Sequence, residues 1–123
     1  MKAKLPLTEG LIDLAAHRFR LLGEPMRLRI LQALEAGERS VTDLTRVVSS
    51  NQPNVSRHLQ ALHEGGIVKR RRDGNTIYYA IADPVVFQIC ELVCRSAVDV
   101  AQARLGMIME AAGPARKETA RKR

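Results

Sequence analysis

The chain has 123 residues, a formal net charge of +7 and a sequence pI near 10.1. This length favours one domain, and a hydrophobic content of 46% argues against wholesale disorder. Because only 3% of the residues are aromatic and none is Trp, we expect a core of Leu, Ile, Val and Ala, which is typical of helical proteins. Clustered Lys and Arg favour polyanion binding through counterion release, although such a charge can also serve solubility alone.

The distribution of apolar residues indicates the cellular compartment in which the protein is expected. No stretch approaches the ~20 uninterrupted apolar residues needed to span a bilayer. Glu9, Asp13 and Arg18 interrupt the N-terminal segment, which therefore lacks the long apolar run of a signal peptide. Two cysteines are also too few for a disulfide-stapled secreted scaffold. We therefore expect a cytoplasmic protein that does not bind a membrane.

Helical periodicity dominates the first third of the chain. Apolar residues recur at helical spacing between Gly10 and Leu22 and predict a first helix, which Gly23 ends. Pro25 stands where the first residue of a second helix would lie, and Gly37 follows as its C-cap.

Two shorter helices are predicted next. In "SVTDLTRVV", Ser40 and Asp43 have the spacing of a capping box, which begins a short helix. In "SSNQPNVSRHLQALHEGG", Val55, Leu59 and Leu62 form an apolar stripe at helical spacing, and a pair of glycines ends the pattern.

The period then changes. "IVKRRRDGNTIYYAIA" contains two extended runs joined around Asp73–Gly74, which favours a tight hairpin turn. From Asp83 the helical period returns, and Gly113–Pro114 predicts the end of that last helix. We therefore expect one domain over 1–113 and a basic, disordered tail over 114–123.

This order of elements describes a winged helix-turn-helix, a mainly α fold with a small β-hairpin wing. A recognition helix buries one stripe and presents polar side chains to base edges and phosphates, while a wing carries cations to the DNA backbone or minor groove. The competing interpretations are an ordinary solvated helix face and an edge strand guarded by charge. The candidate DNA-binding residues are Gln52, Asn54, Ser56, Arg57 and Gln60 on the helix, and Lys69, Arg70, Arg71, Arg72, Gly74 and Asn75 on the wing.

Two segments carry a resemblance to a known family. "LLGEPMRLRILQAL" (21–34) and "VSRHLQALHEGGIVKRRRDGNTIYYAI" (55–81), in this order and spacing, resemble the ArsR/SmtB family of bacterial transcriptional repressors over about residues 11–105. The resemblance implies a homodimer, joined through its first and last helices, that binds double-stranded operator DNA and is released by an inducer. It also implies a DNA-binding or structural role for His58, which matches the "SRHL" motif of the family.

The last helix supports dimerisation independently of the resemblance. Its apolar arc covers well over half of the helix circumference, which is wider than packing on one small domain requires. Part of that arc is therefore expected to face a second subunit.

The chain lacks the residues of two metal-sensing sites that are familiar in this family. Metal-sensing members of this family often carry Cys-x-Cys on the third helix or Asp and His ligands along the last helix. Here the segment "SVTDLTRV" has no cysteine, and His63, the last histidine, precedes the last helix. Neither site can be transferred to this chain.

Cys90 and Cys94 remain as candidates for an inducer site. Their four-residue spacing places them about 40° apart on one helix face. They can be small hydrophobes in a core, ligands for a thiophilic metal or for trivalent arsenic or antimony (arsenite or antimonite), or a redox sensor. We favour a thiol-based site for a small inorganic inducer; the alternative is a constitutive or partner-controlled regulator with structural cysteines.

The sequence shows no sign of catalysis. It contains no Gly-rich phosphate loop, no metal-ligand cluster and no nucleophile with a suitably placed base. We therefore expect that the protein is not an enzyme and has no resident cofactor.

Overall fold

The chain contains five helices and three strands over residues 5–122 of a computed structural model, which describes side chains over residues 5–113. It divides into two compact units after Asp83. The elements are α1 (Glu9–Leu22), α2 (Pro25–Leu34), β1 (Arg39–Ser40), α3 (Val41–Val47), α4 (Gln52–Glu64), β2 (Val68–Asp73), β3 (Thr76–Ile81) and α5 (Val85–Lys122). This architecture confirms the predicted mainly α, winged helix-turn-helix fold.

Side-chain caps fix where the helices begin. The hydroxyl of Thr8 accepts a hydrogen bond from the backbone N–H of Leu11 at 3.2 Å and begins α1. Ser40 caps α3 by accepting from the N–H of Asp43 at 3.0 Å. The reciprocal half of the predicted capping box is replaced by ion pairs, because the carboxylate of Asp43 binds Arg39 and Arg46.

The core of the first unit lies between α2, α3, α4 and the inner face of the hairpin. Val55, Leu59 and Leu62 of α4 are completely buried, which confirms the predicted stripe. The aromatic Tyr79 of β3 is also buried, at 4% exposure, and further aliphatic side chains of this core include Ile30, Leu31, Leu34, Leu44, Ile67 and Val68.

The turn between α3 and α4 is a Schellman motif. The N–H of Ser49 donates to the carbonyl of Arg46 at 3.2 Å, and the N–H of Ser50 donates to the carbonyl of Thr45 at 3.1 Å. Ser49 has a φ of 54°, and it is the one non-glycine residue with a positive φ in the described part of the chain. The turn therefore holds a serine in a conformation that favours glycine.

The sheet has three antiparallel strands in the order β1-β3-β2. Asp73 pairs with Thr76, so Gly74 and Asn75 form a two-residue loop, and the φ of +64° at Gly74 suits the first position of a type II′ turn. The sequence did not predict β1, whose two residues pair with Tyr78 and Tyr79 of β3.

The first helix is anchored where α4 ends. A guanidinium nitrogen of Arg18 donates to the carbonyl of Gly65 at 3.4 Å, and another lies 2.7 Å from the carboxylate of Asp83. A Cβ atom at Gly65 would overlap the side chain of Leu21. Glycine therefore lets the Leu21 side chain of α1 approach closely, and its φ of −84° is an ordinary backbone angle.

The last helix differs from its prediction. It continues past Gly113–Pro114 to Lys122, so the expected end at that dipeptide is wrong. An internal Pro costs ~3 kcal/mol, but the following run is rich in Ala, Arg, Lys and Glu, which are strong helix formers. The side chains of 114–123 lie outside the described residues, so a separate basic tail stays a prediction.

None of the helices in the described part of the chain combines the length and the apolar character that crossing a membrane requires.

Candidate nucleic-acid interface

The helix α4 separates its apolar and polar residues onto different faces. Gln52, Arg57 and Gln60 are exposed opposite the buried stripe, whereas Asn54 and Ser56 are half-buried. Arg57 donates to the amide oxygen of Asn54 at 2.6 Å. The side-chain nitrogen of Gln60 donates to the carboxylate of Glu64 at 3.3 Å, so Arg57 and Gln60 are both held on the exposed side by contacts within α4.

Asn54 is more constrained than the other candidates. Its backbone N–H donates to the amide oxygen of Asn51, the N-cap of α4, at 2.9 Å, and its side-chain nitrogen donates to the hydroxyl of Ser50 at 3.0 Å. With its oxygen bound to Arg57, this side chain orders the start of the helix.

His58 lies on the buried side of α4. It is 5% exposed, and its Nδ1 accepts a hydrogen bond from Nε of Arg27 at 3.1 Å, while its Nε2 lies 4.0 Å from the carboxylate of Glu24. Burial, together with the positive charges of Arg57 and Arg27, lowers the pKa of His58 below its ordinary value, and Glu24 opposes this. Of the two roles that the sequence allows, this position favours the structural one.

The wing displays its four cations on two faces. Lys69, Arg70, Arg71 and Arg72 are all exposed. Because side chains alternate along a strand, Arg70 and Arg72 share the face of Val68, while Lys69 and Arg71 point the other way. Arg72 lies opposite Ile77 and Arg70 lies opposite Tyr79 in the register of the hairpin.

Arg71 is bound by Glu38 and lies over the ring of Tyr78. Its Nε and Nη2 each donate to a carboxylate oxygen of Glu38 at 2.8 Å, and its guanidinium carbon lies 4.5 Å from the centre of the Tyr78 ring. The hydrogen bond to Arg71 lowers the pKa of Glu38, and the same bond raises the pKa of Arg71. By contrast, Arg70 and Arg72 make no ion pair or hydrogen bond with any residue of the described range.

A groove joins the helix to the tip of the wing. It is lined by Gln52 and Ser56 of α4, by Asn75, Thr76 and Ile77 of the hairpin, and by Val41 and Thr42 of α3. The structure thus brings three of the predicted residues (Gln52, Ser56 and Asn75) to one place. It also adds Thr42, which no periodic signal in the sequence marks as functional.

The two thiols lie in the second unit, on α5. Cys90 is half-buried and Cys94 is exposed, and both are free. Burial, with a smaller contribution from Cys94, raises the pKa of Cys90 above its ordinary value. Within the range whose side chains are described, no three His, Cys, Asp or Glu residues lie close enough together to hold a metal ion.

Comparisons with known proteins agree with this geometry. A family model described as "Bacterial regulatory protein, arsR family" matches residues 24–70. The chain is 38% identical over 101 residues to a Streptomyces lividans protein named "Probable mercury resistance operon repressor", covering 82% of this chain and 79% of that protein.

Solved structures extend the similarity to the fold. A homodimeric winged helix-turn-helix DNA-binding domain from Mycobacterium bovis superposes with a TM-score of 0.67 at 34% identity, covering 80% of this chain and 92% of that one. The antimony-specific transcriptional repressor AntR superposes with a TM-score of 0.71 at 32% identity, covering 83% and 93% of the two chains.

The family and these relatives are DNA-binding transcription regulators, which is a class distinct from enzymes. The family match covers the helix-turn-helix, with all the predicted residues of α4, and the wing as far as Arg70. This protein therefore belongs to the arsR family of bacterial regulatory proteins and is a winged helix-turn-helix transcriptional repressor.

Proposed function

We propose that the protein binds double-stranded operator DNA as a homodimer and that a thiophilic inducer at Cys90 and Cys94 releases it. The DNA-binding part of this proposal depends on one observation. The polar residues at the start of α4 and the wing tip line the same groove, next to a strand with exposed cations. A duplex lying across this surface would meet base-reading and phosphate-binding groups together.

The two parts of this surface would have different tasks. Arg57, Gln52 and Gln60 suit base edges in the major groove, because Arg pairs well with guanine and Gln with adenine. Arg70, Arg72 and Lys69 suit phosphates or a narrow minor groove, where charge matters more than sequence. Gly74 and Asn75 make the wing tip tight enough to approach the backbone closely.

Dimerisation is supported by the apolar side chains that each unit leaves exposed. In α1, Ile12, Leu14 and Phe19 are exposed, and in α5 the same holds for Leu92, Leu105 and Ile108. Large exposed apolar surfaces usually mark an interface. The relative from M. bovis is homodimeric, which supports a two-fold arrangement here.

The spacing of the cysteines supports a bridging ligand over a disulfide within one helix. Residues four apart on a helix have Cβ atoms ≈ 5–6 Å apart, whereas a disulfide needs ≈ 3.5–4.5 Å. A soft atom between two thiolates relaxes that requirement. Similar proteins are named for mercury resistance and for antimony specificity, which agrees with a thiophilic inducer.

The DNA-binding proposal is tested by selecting duplexes from a random-sequence pool with the wild-type protein and measuring affinity against salt. We expect an Arg57→Ala variant to lose sequence preference. An Arg70→Gln, Arg72→Gln variant should lose affinity evenly across sequences, with a salt slope reduced by ~0.9 for each phosphate that it no longer neutralises. Failure of the wild-type protein to enrich any duplex would refute operator binding.

The inducer proposal is tested by titrating preformed protein–DNA complexes with arsenite, antimonite, mercuric ion, a persulfide donor and peroxide. A thiophile should release DNA from the wild-type protein but not from a folded Cys90→Ser, Cys94→Ser variant. Equal release from both proteins, or release by none of these compounds, would instead support the regulator with structural cysteines. Coupling requires that the inducer bind the two states of the dimer with different affinities.

A further inference from the structure

The three wing arginines divide into one that is bound within the domain and two that are not. Arg71 makes a bidentate ion pair with Glu38 and lies over the ring of Tyr78, whereas Arg70 and Arg72 bind no residue of the described range. Glu38 lies in the segment between α2 and β1, outside the helix-turn-helix and the hairpin. This contact therefore connects the outer strand of the wing to the body of the domain, across a separation of 33 residues.

The ion pair also completes a continuous path across the sheet. Tyr78 pairs with Ser40 of β1 on one side and with Arg71 of β2 on the other. Glu38 immediately precedes β1, so Glu38, Arg71 and Tyr78 join all three strands on the face opposite Arg70 and Arg72. A bidentate carboxylate fork fixes both the direction and the distance of a guanidinium, which a single charge–charge contact does not.

We propose that Arg71, with Glu38 and Tyr78, is a positioning residue that sets the angle of the wing for DNA binding. This inference rests on the proposed binding of operator DNA by the wing. In this arrangement Arg71 does not neutralise a phosphate, because Glu38 already occupies its fork. Its effect on DNA passes through Arg70 and Arg72, whose strand it holds in place.

A double-mutant cycle on DNA affinity tests this inference. The probe is a duplex that the wild-type protein selects from a random-sequence pool, and the variants are Glu38→Gln, Arg71→Gln and the combination. Each single change should weaken binding about threefold to tenfold, since the ion pair and the ring contact are each modest. The combination should be no weaker than Arg71→Gln alone, because Arg71→Gln already removes both the ion pair and the ring contact. The salt slope should stay that of the wild-type protein, whereas Arg72→Gln should lower it by ~0.9 for each phosphate that Arg72 neutralises.

The conservative variant Arg71→Lys distinguishes a role in orienting the wing from a direct charge contact with phosphate. Lysine keeps the charge but lacks the planar fork, so it should bind DNA as weakly as Arg71→Gln. Recovery of full affinity by the lysine variant, or tighter binding by Glu38→Gln, would show that Arg71 contacts phosphate and would overturn the inference. Unchanged affinity in every variant would overturn it too.

A matched control exists on α5, where Arg95 and Glu91 form an exposed ion pair of the same 2.8 Å length. Glu91→Gln should leave DNA affinity unchanged. Hydrogen exchange of the β2 and β3 amides, measured without DNA, should accelerate in Glu38→Gln and Arg71→Gln but not in Glu91→Gln. If the wild-type protein selects no duplex, operator binding fails, while unchanged exchange in the wing variants refutes the positioning role itself.

Discussion

The helix α4 buries its apolar stripe, whereas α5 leaves many of its apolar residues exposed. In α4, Val55, Leu59 and Leu62 are 0% exposed, and the polar residues occupy the other face. In α5, Leu105 is 58% exposed and Ile108 is 65% exposed. One helix completes its packing within its own unit, and the other does not.

The buried residues of α4 stabilise the folded monomer, whereas the exposed residues of α5 are available for forming a dimer. Fully burying a Leu or Val side chain contributes ≈ 1.5–3 kcal/mol to folding, so α4 is fixed by the fold of its own unit. The exposed residues of α5 contribute little until another surface covers them. Five of them follow an alternating four- and three-residue spacing, as in the seam of a coiled coil: Cys94, Val98, Ala101, Leu105 and Ile108. We therefore expect substitutions in α4 to affect the monomer and substitutions in α5 to affect the dimer.

A Leu→Ala substitution in each of the two helices should give the largest expected difference in the free energy of unfolding and in its dependence on protein concentration. Leu59→Ala should lower the free energy of unfolding by about 2–5 kcal/mol at any protein concentration, because it leaves a cavity at a fully buried site. Leu105→Ala should cost stability only at concentrations where the dimer forms. Urea denaturation at several protein concentrations measures both. Equal, concentration-independent losses would contradict the division between the helices.

A charge in the α5 seam should break the dimer. Ile108→Glu should weaken self-association at least tenfold, since an ionised carboxylate would have to be buried without a partner. Sedimentation equilibrium measures this, with Gln102→Glu on the polar side as the control. Wild-type self-association in Ile108→Glu would show that the dimer uses another surface.

A buried histidine makes α4 sensitive to acid. The pKa of His58 is lowered in the folded protein, so on acidification the unfolded chain takes up this proton first. The stability that neutral His58 contributes is therefore complete above its ordinary value of 6.5 and declines as the pH falls below it. Protonation would also turn the Nδ1 acceptor into a second donor facing Arg27.

Urea midpoints between about pH 8 and about pH 5 check this effect. His58→Asn places an amide oxygen near the position of Nδ1 and should flatten the profile, whereas the exposed His17→Asn should not change it. A profile in His58→Asn as steep as that of the wild-type protein would assign the acid sensitivity to other groups. No matching effect is expected in α5, which has no histidine.

Local features were predictable from the sequence, and contacts between distant residues were not. The cap at Ser40 and the stripe through Val55 follow from patterns within a few residues. The Glu38–Arg71 and Arg27–His58 contacts join residues 33 and 31 positions apart, and no periodic signal marks such pairs. For the same reason the groove between Thr42 and Asn75 emerged only from the fold.

Pro114 shows the limit of even a strong local signal. It predicted the end of α5, but a proline lowers the stability of a helix without forbidding it where strong helix formers follow. The apolar arc of α5 predicts that a second surface covers it, whereas the role of the cysteines depends on a ligand, which neither periodicity nor capping specifies.

The smallest expected effect lies in the turn before α4. Ser49 has a φ of 54°, which costs a residue with a Cβ atom ~1–2 kcal/mol of backbone strain. Replacing it with glycine removes this strain, but the greater conformational entropy of glycine in the unfolded chain offsets part of the stabilisation. Ser49→Gly should therefore raise the free energy of unfolding by about 0.5–1 kcal/mol, with DNA affinity unchanged, because both Schellman hydrogen bonds use backbone atoms. Gly66→Ser, at a φ of 76° after α4, is the reverse control and should destabilise by a similar amount. Urea denaturation measures both; a loss of stability in Ser49→Gly would mean that the Ser49 side chain stabilises this turn by more than the strain it carries.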